Sequence, residues 1–219
     1  RILDMSVGNV EEGIPPFLRV FNPEETLPPL IIHKEIQDSI QNIINNKRSK
    51  IFYFYGPPGS GKRLQVKHLA RSLERALIFV DGTKLITSDG RLDILNINTT
   101  LRELIIYDAI FCLVNFNQLI NDNNYGSPLI TDLLREINKK IDLIFLIADT
   151  EDSLPEVRAS INWFEVQFKI PTRKAQKKLW VEFSKGFPLD PQIDVGELAN
   201  KFDFLPGQID NALNQAETQ

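Results

Sequence analysis

The sequence predicts an α/β protein in which helices cover both faces of a parallel sheet in three layers, with a small helical lid at the C-terminal end. Three observations lead there. The apolar and aromatic run Ile51-Phe52-Tyr53-Phe54-Tyr55 is followed by a glycine-rich loop and then by apolar residues at helical spacing, a strand–loop–helix unit. Further apolar runs alternate with helical stretches as far as about residue 170, the pattern of βα units. Beyond Pro171 the strand-like runs stop, and the chain reads as helices joined by Pro/Gly turns.

Taken in order, residues 1–29 hold Pro15, Pro16, Pro23, Pro28 and Pro29 and read as an extended arm or linker remnant. Residues 30–47 open on Leu30-Ile31-Ile32 and continue as an amphipathic helix, because Ile36, Ile40, Ile43 and Ile44 fall at i, i+4, i+7 and i+8. After the strand at 51–55 and its loop, Leu64, Val66, Leu69, Ala70 and Leu73 make the apolar side of the next helix. Residues 76–80 form a strand ending at Asp81, residues 99–107 look helical, and 109–115 is a strand. A helix over 128–140, a strand over 143–148 and a last strand over 163–170 complete the core. The expected division is an arm at 1–29, an α/β core at 30–171 and a lid at 172–219, with lid turns at Gly186-Phe187-Pro188 and Phe204-Leu205-Pro206-Gly207.

The loop Gly56-Pro57-Pro58-Gly59-Ser60-Gly61-Lys62-Arg63 carries the chemistry. It fits the phosphate-binding pattern G-x-x-x-x-G-K-[ST] everywhere except the last position, where Arg63 replaces the hydroxyl that would hold magnesium. Glycines let backbone N–H groups turn inward around a phosphate with no Cβ in the way. The start of the following helix adds partial positive charge, and Lys62 adds a full one.

Composition sets outer limits. The 219 residues are 42% hydrophobic, enough for one large domain or a large domain with a small one. With 25 Lys and Arg against 29 Asp and Glu, the net charge of −4 leaves no global electrostatic footprint for nucleic acid. Arg173, Lys174, Lys177 and Lys178 share part of one helical face and read as a solvated face of the lid. The single cysteine, Cys112, sits in an apolar run and is expected to be a buried, inert thiol. The absence of any intrachain disulfide suits a reducing cytosol, so a cytoplasmic location is expected. No apolar run reaches the ~18 residues of a membrane span, and no signal peptide is visible. Opening on Arg1, the chain reads as a piece of something longer.

The Gly-Pro-Pro-Gly-Ser-Gly-Lys loop, the α/β core and the helical lid together resemble the AAA+ ATPases, a family of P-loop NTPases, over residues from about Leu30 to Ala216. The resemblance implies that ATP or ADP is the ligand and that other AAA+ domains or subunits are partners in a ring. It adds Leu64, Ile31, Ile32 and Gly207 to the loop as nucleotide-contacting residues. It also implies where catalytic residues should stand. The family's Asp-Glu pair at the end of the third core strand corresponds to Asn115 and Phe116. Asn115 is isosteric with Asp but uncharged, and Phe116 cannot polarise water. Asp81-Gly82 is the nearest rival pair, on what is the wrong strand for the family, and Asp108 precedes its strand. Thr150 falls at the γ-phosphate-sensing position, though a threonine capping a turn fits equally.

Trp163, before Phe164-Glu165, stands where the family carries an arginine finger, and Arg158 is either a substitute or a solvated charge. Gln208 stands where the lid arginine is common. The wording Leu205-Pro206-Gly207-Gln208-Ile209 resembles a bacterial subgroup with two tandem AAA+ domains, the first degraded. The expected function is therefore an ATP/ADP-binding domain with degraded hydrolysis residues, structural or regulatory in a larger ATPase, with magnesium poorly held. One alternative is an active ATPase that uses Asp81, Asp108 or Asp149 for its metal. The other is a nucleic-acid clamp.

Overall fold

Residues Ile51 to Phe54 are all buried because their strand has neighbours on both sides and helices on both faces. This computed structural model describes residues 14–45, 50–121, 126–151, 157, 160–187, 190 and 192–217. Residues 1–13, Arg158 and Pro188 therefore lie outside the described residues. The strands are β1 (Leu18–Phe21), β2 (Lys50–Tyr55), β3 (Leu77–Asp81), β4 (Ile110–Val114), β5 (Leu143–Ala148) and β6 (Phe164–Gln167). They form one six-stranded sheet in the order β1-β3-β4-β5-β2-β6. Only β1 runs antiparallel; every other neighbouring pair is parallel.

Two apolar layers enclose this sheet. On one face α1 (Lys34–Ile44) and α2 (Lys62–Ser72) place Ile40, Val66 and Leu69 against Phe52, Phe54 and Phe145. Phe52 stacks between Phe145 and Phe164, with ring centroids 5.2 and 5.4 Å away. On the other face α3 (Ile94–Ile106), α4 (Phe116–Asn121) and α5 (Gly126–Asn138) bring Leu101, Leu104, Leu119, Leu133 and Ile137 onto Ile51, Tyr53 and Ile144. The helices α6 (Arg173–Ser184), α7 (Val195–Lys201) and α8 (Pro206–Glu217) build a separate small core from Leu179, Trp180, Ala199, Ile209 and Leu213. Ile31 and Ile32 pack against this lid core from the segment before α1. Among the described residues no helix is long and apolar enough to cross a membrane.

Helix α4 stands where no helix is expected, β6 spans only Phe164–Gln167 of the expected 163–170, and three further elements differ. Residues 18–21 of the proline-rich arm form β1, whose pairing runs from Leu18 opposite Val80 to Phe21 opposite Leu77. Four residues between prolines are too few to show a strand's alternation, so only the partner strand reveals it. The segment after β1 is pinned along α2, where Arg71 Nε donates to the Pro23 carbonyl (3.1 Å) and His68 Nε2 lies 2.8 Å from the Pro28 carbonyl. Helix α3 starts at Ile94 instead of 99, because the Asp93 carboxylate accepts the Asn96 N–H (3.0 Å) and caps it. Its first turn exposes Ile94 and Leu95, which hides the start from an apolar-periodicity reading. The helix expected over 30–47 begins only at Lys34, since His33 takes a left-handed conformation at φ 61.

Register sets up the site. Tyr55 pairs with Ala148 and Asp81 with Val114, so the C-terminal ends of β2, β3, β4 and β5 share one edge. Asp81 closes β3, and the glycine loop, Asn115 and Asp149 follow the ends of β2, β4 and β5 directly, at the crevice where ligands sit in open parallel sheets.

Candidate nucleotide site

The loop leaves β2 through Gly56, at φ 138, and enters α2 through Gly61, at φ 97, with Gly59 at φ 82 between them. A Cβ on Gly56 would lie 2.2 Å from the Phe168 carbonyl oxygen, so the loop's first turn passes too close to that backbone for a side chain. A Cβ on Gly61 would meet nothing within 4 Å and would point into open space. Ser60 is buried, and its hydroxyl has no hydrogen-bond partner among the described residues. Lys62 is the first residue of α2 and only 5% exposed. Its ammonium donates to the carbonyls of Gly56 and Pro57 and to Asp149 Oδ1, the last two at 3.0 and 3.2 Å. Burial lowers the Lys62 pKa, Asp149 raises it in part, and the neighbouring Arg63 charge lowers it further.

A cavity of about 490 Å³ opens in front of the loop. Pro58, Gly59, Gly61 and Lys62 form its floor, with Arg63 and Leu64 from α2. Asn115, Ile147 and Asp149 close the sheet side, Pro28 another, and Phe183, Pro206, Gly207 and Asp210 cover it from the lid. Gly207 N–H donates to the Gly59 carbonyl (3.0 Å), so α8 begins directly against the loop. A Cβ on Gly207 would come within 3.1 Å of Gly59 Cα. Gln208 turns back to accept the Leu205 N–H (2.8 Å). Ile31 and Ile32 line a narrow cleft with Ser60 that shares Gly61, Leu64, Phe183 and Pro206 with the main cavity. The left-handed glycines, the orphaned Ser60 hydroxyl and the open space beyond Gly61 fit the phosphates of a nucleotide.

The expected catalytic positions sit differently. Asn115, left-handed at φ 57, turns its amide to Asp81 Oδ1 (3.1 Å) at the cavity wall. The same Asp81 oxygen accepts the Thr83 N–H and hydroxyl. Phe116 is fully buried and meets Tyr53 and Trp163 edge-on at 5.9 and 6.3 Å. Trp163 stacks on Tyr53 (5.3 Å) and donates its indole N–H to Glu165 (2.9 Å). Phe116 and Trp163 thus belong to one aromatic cluster on the α3–α5 face and do not line the cavity. Thr150 is exposed, and its carbonyl accepts the Tyr53 hydroxyl (3.2 Å).

The residue that reaches the loop lysine is Asp149, one position earlier than the threonine singled out by sequence; its place directly after β5 was the available signal. Asp108 is removed from the site altogether. It precedes β4, at the opposite edge of the sheet, is 90% exposed and pairs with Arg75 at 3.3 Å. A divalent cation fits poorly, because Arg63 brings a positive charge where the loop would supply a hydroxyl and the Asp149 carboxylate already pairs with Lys62.

The sequence pattern of the ATPase family associated with various cellular activities (AAA) matches residues 52–172, more than half of the 219-residue chain. The chain belongs to the AAA ATPase family. The AAA match takes in most of β2, the loop and β3 to β6, which are five neighbouring strands of the sheet and the loop at their shared edge. Among curated proteins, the AAA domain is 24% identical over 198 residues to a putative cell division cycle ATPase of Plasmodium falciparum, covering 84% of this chain and 16% of that protein. It is 25% identical over 203 residues to the peroxisomal ATPase PEX6 of Pichia angusta, covering 80% of this chain and 18% of that protein. A shorter stretch of 58 residues is 36% identical to a probable replication factor C subunit 5 of Dictyostelium discoideum, covering 26% of this chain and 16% of that protein. The chain thus spans under a fifth of the length of these relatives. A chain solved in a study of katanin self-assembly superposes with a TM-score of 0.69 at 16% identity, covering 98% of this chain and 79% of that one, which establishes the shared fold.

Proposed function

We propose that this AAA domain binds ATP or ADP in the cavity between loop and lid and serves as a structural or regulatory member of a larger ATPase assembly, with hydrolysis degraded. One observation carries the reading: the phosphate cradle is complete through Lys62, while the position expected to polarise water holds Phe116, buried in the core. Backbone amides, a helix N-terminus and one ammonium suffice to hold phosphates. Hydrolysis needs in addition a metal, a positioned water and a stabilising cation acting as a unit. Arg63, Asn115, Phe116 and Trp163 replace these parts in the family's order.

On this reading the arm at 1–29, the core at 30–171 and the lid at 172–219 act as one nucleotide-binding unit in the cytoplasm. Its partners are other AAA+ domains or subunits in a ring, with a catalytically intact domain supplying turnover. The self-assembly studied for the katanin neighbour and the much greater length of the curated relatives support this arrangement. Calorimetric titration with ATP and ADP, first with magnesium and then with a chelator, tests it. Binding that changes less than about tenfold on chelation is expected. Failure of both nucleotides to bind at Lys62 would overturn the reading.

The active-ATPase alternative is favoured by one contact, the Asp149 carboxylate lining the cavity 3.2 Å from Lys62. It requires magnesium-dependent phosphate release that disappears with Asp149→Asn.

A further inference from the structure

A second cavity of about 470 Å³ lies beside the first and shares Pro28, Arg63, Leu64 and Asn115 with it. Three cations line it: Arg19 from β1, and Arg63 and Lys67 from α2. The carboxylate in its wall is Asp81, one oxygen of which already accepts hydrogen bonds from Thr83 and Asn115. Among the described residues none of the three cations makes an ion pair. Lys67 instead holds its ammonium 4.8 Å from the centre of the Phe21 ring, whose own strand forms the far wall. Burial lowers the Lys67 pKa, the Arg19 and Arg63 charges lower it further, and Glu25 offsets part of this. The wall is built: Arg71 and His68 bind the Pro23 and Pro28 carbonyls and hold the segment after β1 against α2.

Like charges gathered in a cleft repel one another, and low-dielectric walls strengthen that repulsion. An anion between them relieves it. Two guanidinium forks and an ammonium match the geometry of phosphate oxygens, which accept paired hydrogen bonds from arginine.

We propose that this cleft is a second anion site, in which Arg19, Arg63 and Lys67 take a phosphate group. The group has two sources with one chemistry. It is either a free oligophosphate or the terminal phosphate of a nucleotide seated in the loop, since Arg63 borders both cavities. Only the second source rests on the nucleotide reading above.

The test is lysine acylation footprinting of the whole protein, read peptide by peptide by mass spectrometry, with inorganic pyrophosphate and with ATP as probes. Pyrophosphate should protect Lys67 in the unmodified protein and equally in Lys62→Ala. Arg19→Gln, an exposed strand position, should raise the half-protecting concentration roughly tenfold. If ATP is the protecting probe and its effect vanishes in Lys62→Ala, the ligand is the terminal phosphate of a loop-bound nucleotide. If pyrophosphate protects independently of Lys62, the ligand is a free oligophosphate. The proposal is overturned if neither probe protects Lys67, if Arg19→Gln leaves the protection unchanged, or if pyrophosphate protection is lost in Lys62→Ala. The nucleotide reading fails on a different signal, calorimetry in which neither ATP nor ADP binds the unmodified protein, and the Lys67 result with pyrophosphate stands regardless.

Discussion

The ammonium of Lys62 lies 3.2 Å from Asp149 Oδ1, so the loop's principal cation is partnered by a carboxylate from the end of the adjacent strand. The pair is asymmetric: Lys62 is 5% exposed and Asp149 44%. Burial disfavours the ammonium, and Asp149 restores part of its charge preference. The same carboxylate faces the cavity in which phosphates are expected, so it competes with them for Lys62 and repels them.

Asp149→Asn should therefore tighten ATP and ADP binding about threefold to tenfold, the size of a partly screened ion pair. Calorimetry on the variant and the unmodified protein measures it. A weaker magnesium-ATP affinity in the variant would assign Asp149 to a metal instead.

The loop glycines separate folding from binding. Gly56→Ala places a methyl group 2.2 Å from the Phe168 carbonyl oxygen at φ 138, a clash with backbone that cannot move aside. Its cost should be at least ~2 kcal/mol, visible as a lower thermal midpoint. Gly61→Ala meets no atom within 4 Å, so only the strain of φ 97 remains, about 1–2 kcal/mol. Its methyl projects toward the phosphate space, and nucleotide binding should be lost. Equal melting losses in the two variants would contradict the contact at Gly56.

How much of this was legible in the chain depends on where the information sits. The strand–loop–helix unit from Lys50 to Ser72 could be read directly, because apolar period, glycines and Lys62 all lie within one short stretch. Strand β1 could not, because what makes Leu18–Phe21 a strand is Leu77–Val80, some sixty residues away in the chain. Phe116 and Trp163 stood out as residues at the wrong positions, but one at a time. Their common partner Tyr53, on β2, shows that both substitutions belong to one packed cluster. Asp149 was overshadowed by the neighbouring Thr150, since which of two adjacent residues at a strand end reaches the loop depends on the strand's register and twist.

His33 makes stability pH-dependent in a predictable direction. Its Nε2 is buried with no hydrogen-bond partner among the described residues, and its ring meets Phe168 edge-on at 5.3 Å. Burial lowers its pKa below the ordinary 6.5, against the pull of Glu35, and Lys169, Lys174 and Lys178 line the same cleft. The unfolded chain thus takes up a proton near 6.5 while the folded chain does so only at lower pH. This contribution is fully present above the unfolded value and is lost as pH falls from there toward the folded one. His33→Asn, which tolerates the left-handed backbone, should lessen the drop in urea midpoint between about pH 7.5 and pH 5.5. An identical drop in variant and parent would rule His33 out as its source.

The last prediction concerns turnover. Phosphate release by this domain should not exceed that of Lys62→Ala, because Phe116 occupies the position expected to polarise water. Placing one there by Phe116→Glu does not repair it. The side chain at 116 is fully buried among Tyr53 and Trp163, and an unpaired carboxylate in that cluster should cost about 3–5 kcal/mol. Denaturant melts should show this loss before any gain in rate is measurable. Arg63→Thr with Asn115→Asp changes only positions at the cavity wall. That pair should make ATP affinity depend on magnesium while leaving phosphate release at the control level, since the metal would be held without a base. Adding Phe116→Glu to the pair should lower stability further and give slow turnover only if the new carboxylate leaves the aromatic cluster, which Trp163 opposes by its stacking on Tyr53. Steady-state phosphate release, with Lys62→Ala as the contamination control, decides the matter. Robust turnover by the unmodified protein that vanishes in that control would replace the degraded reading with the active one.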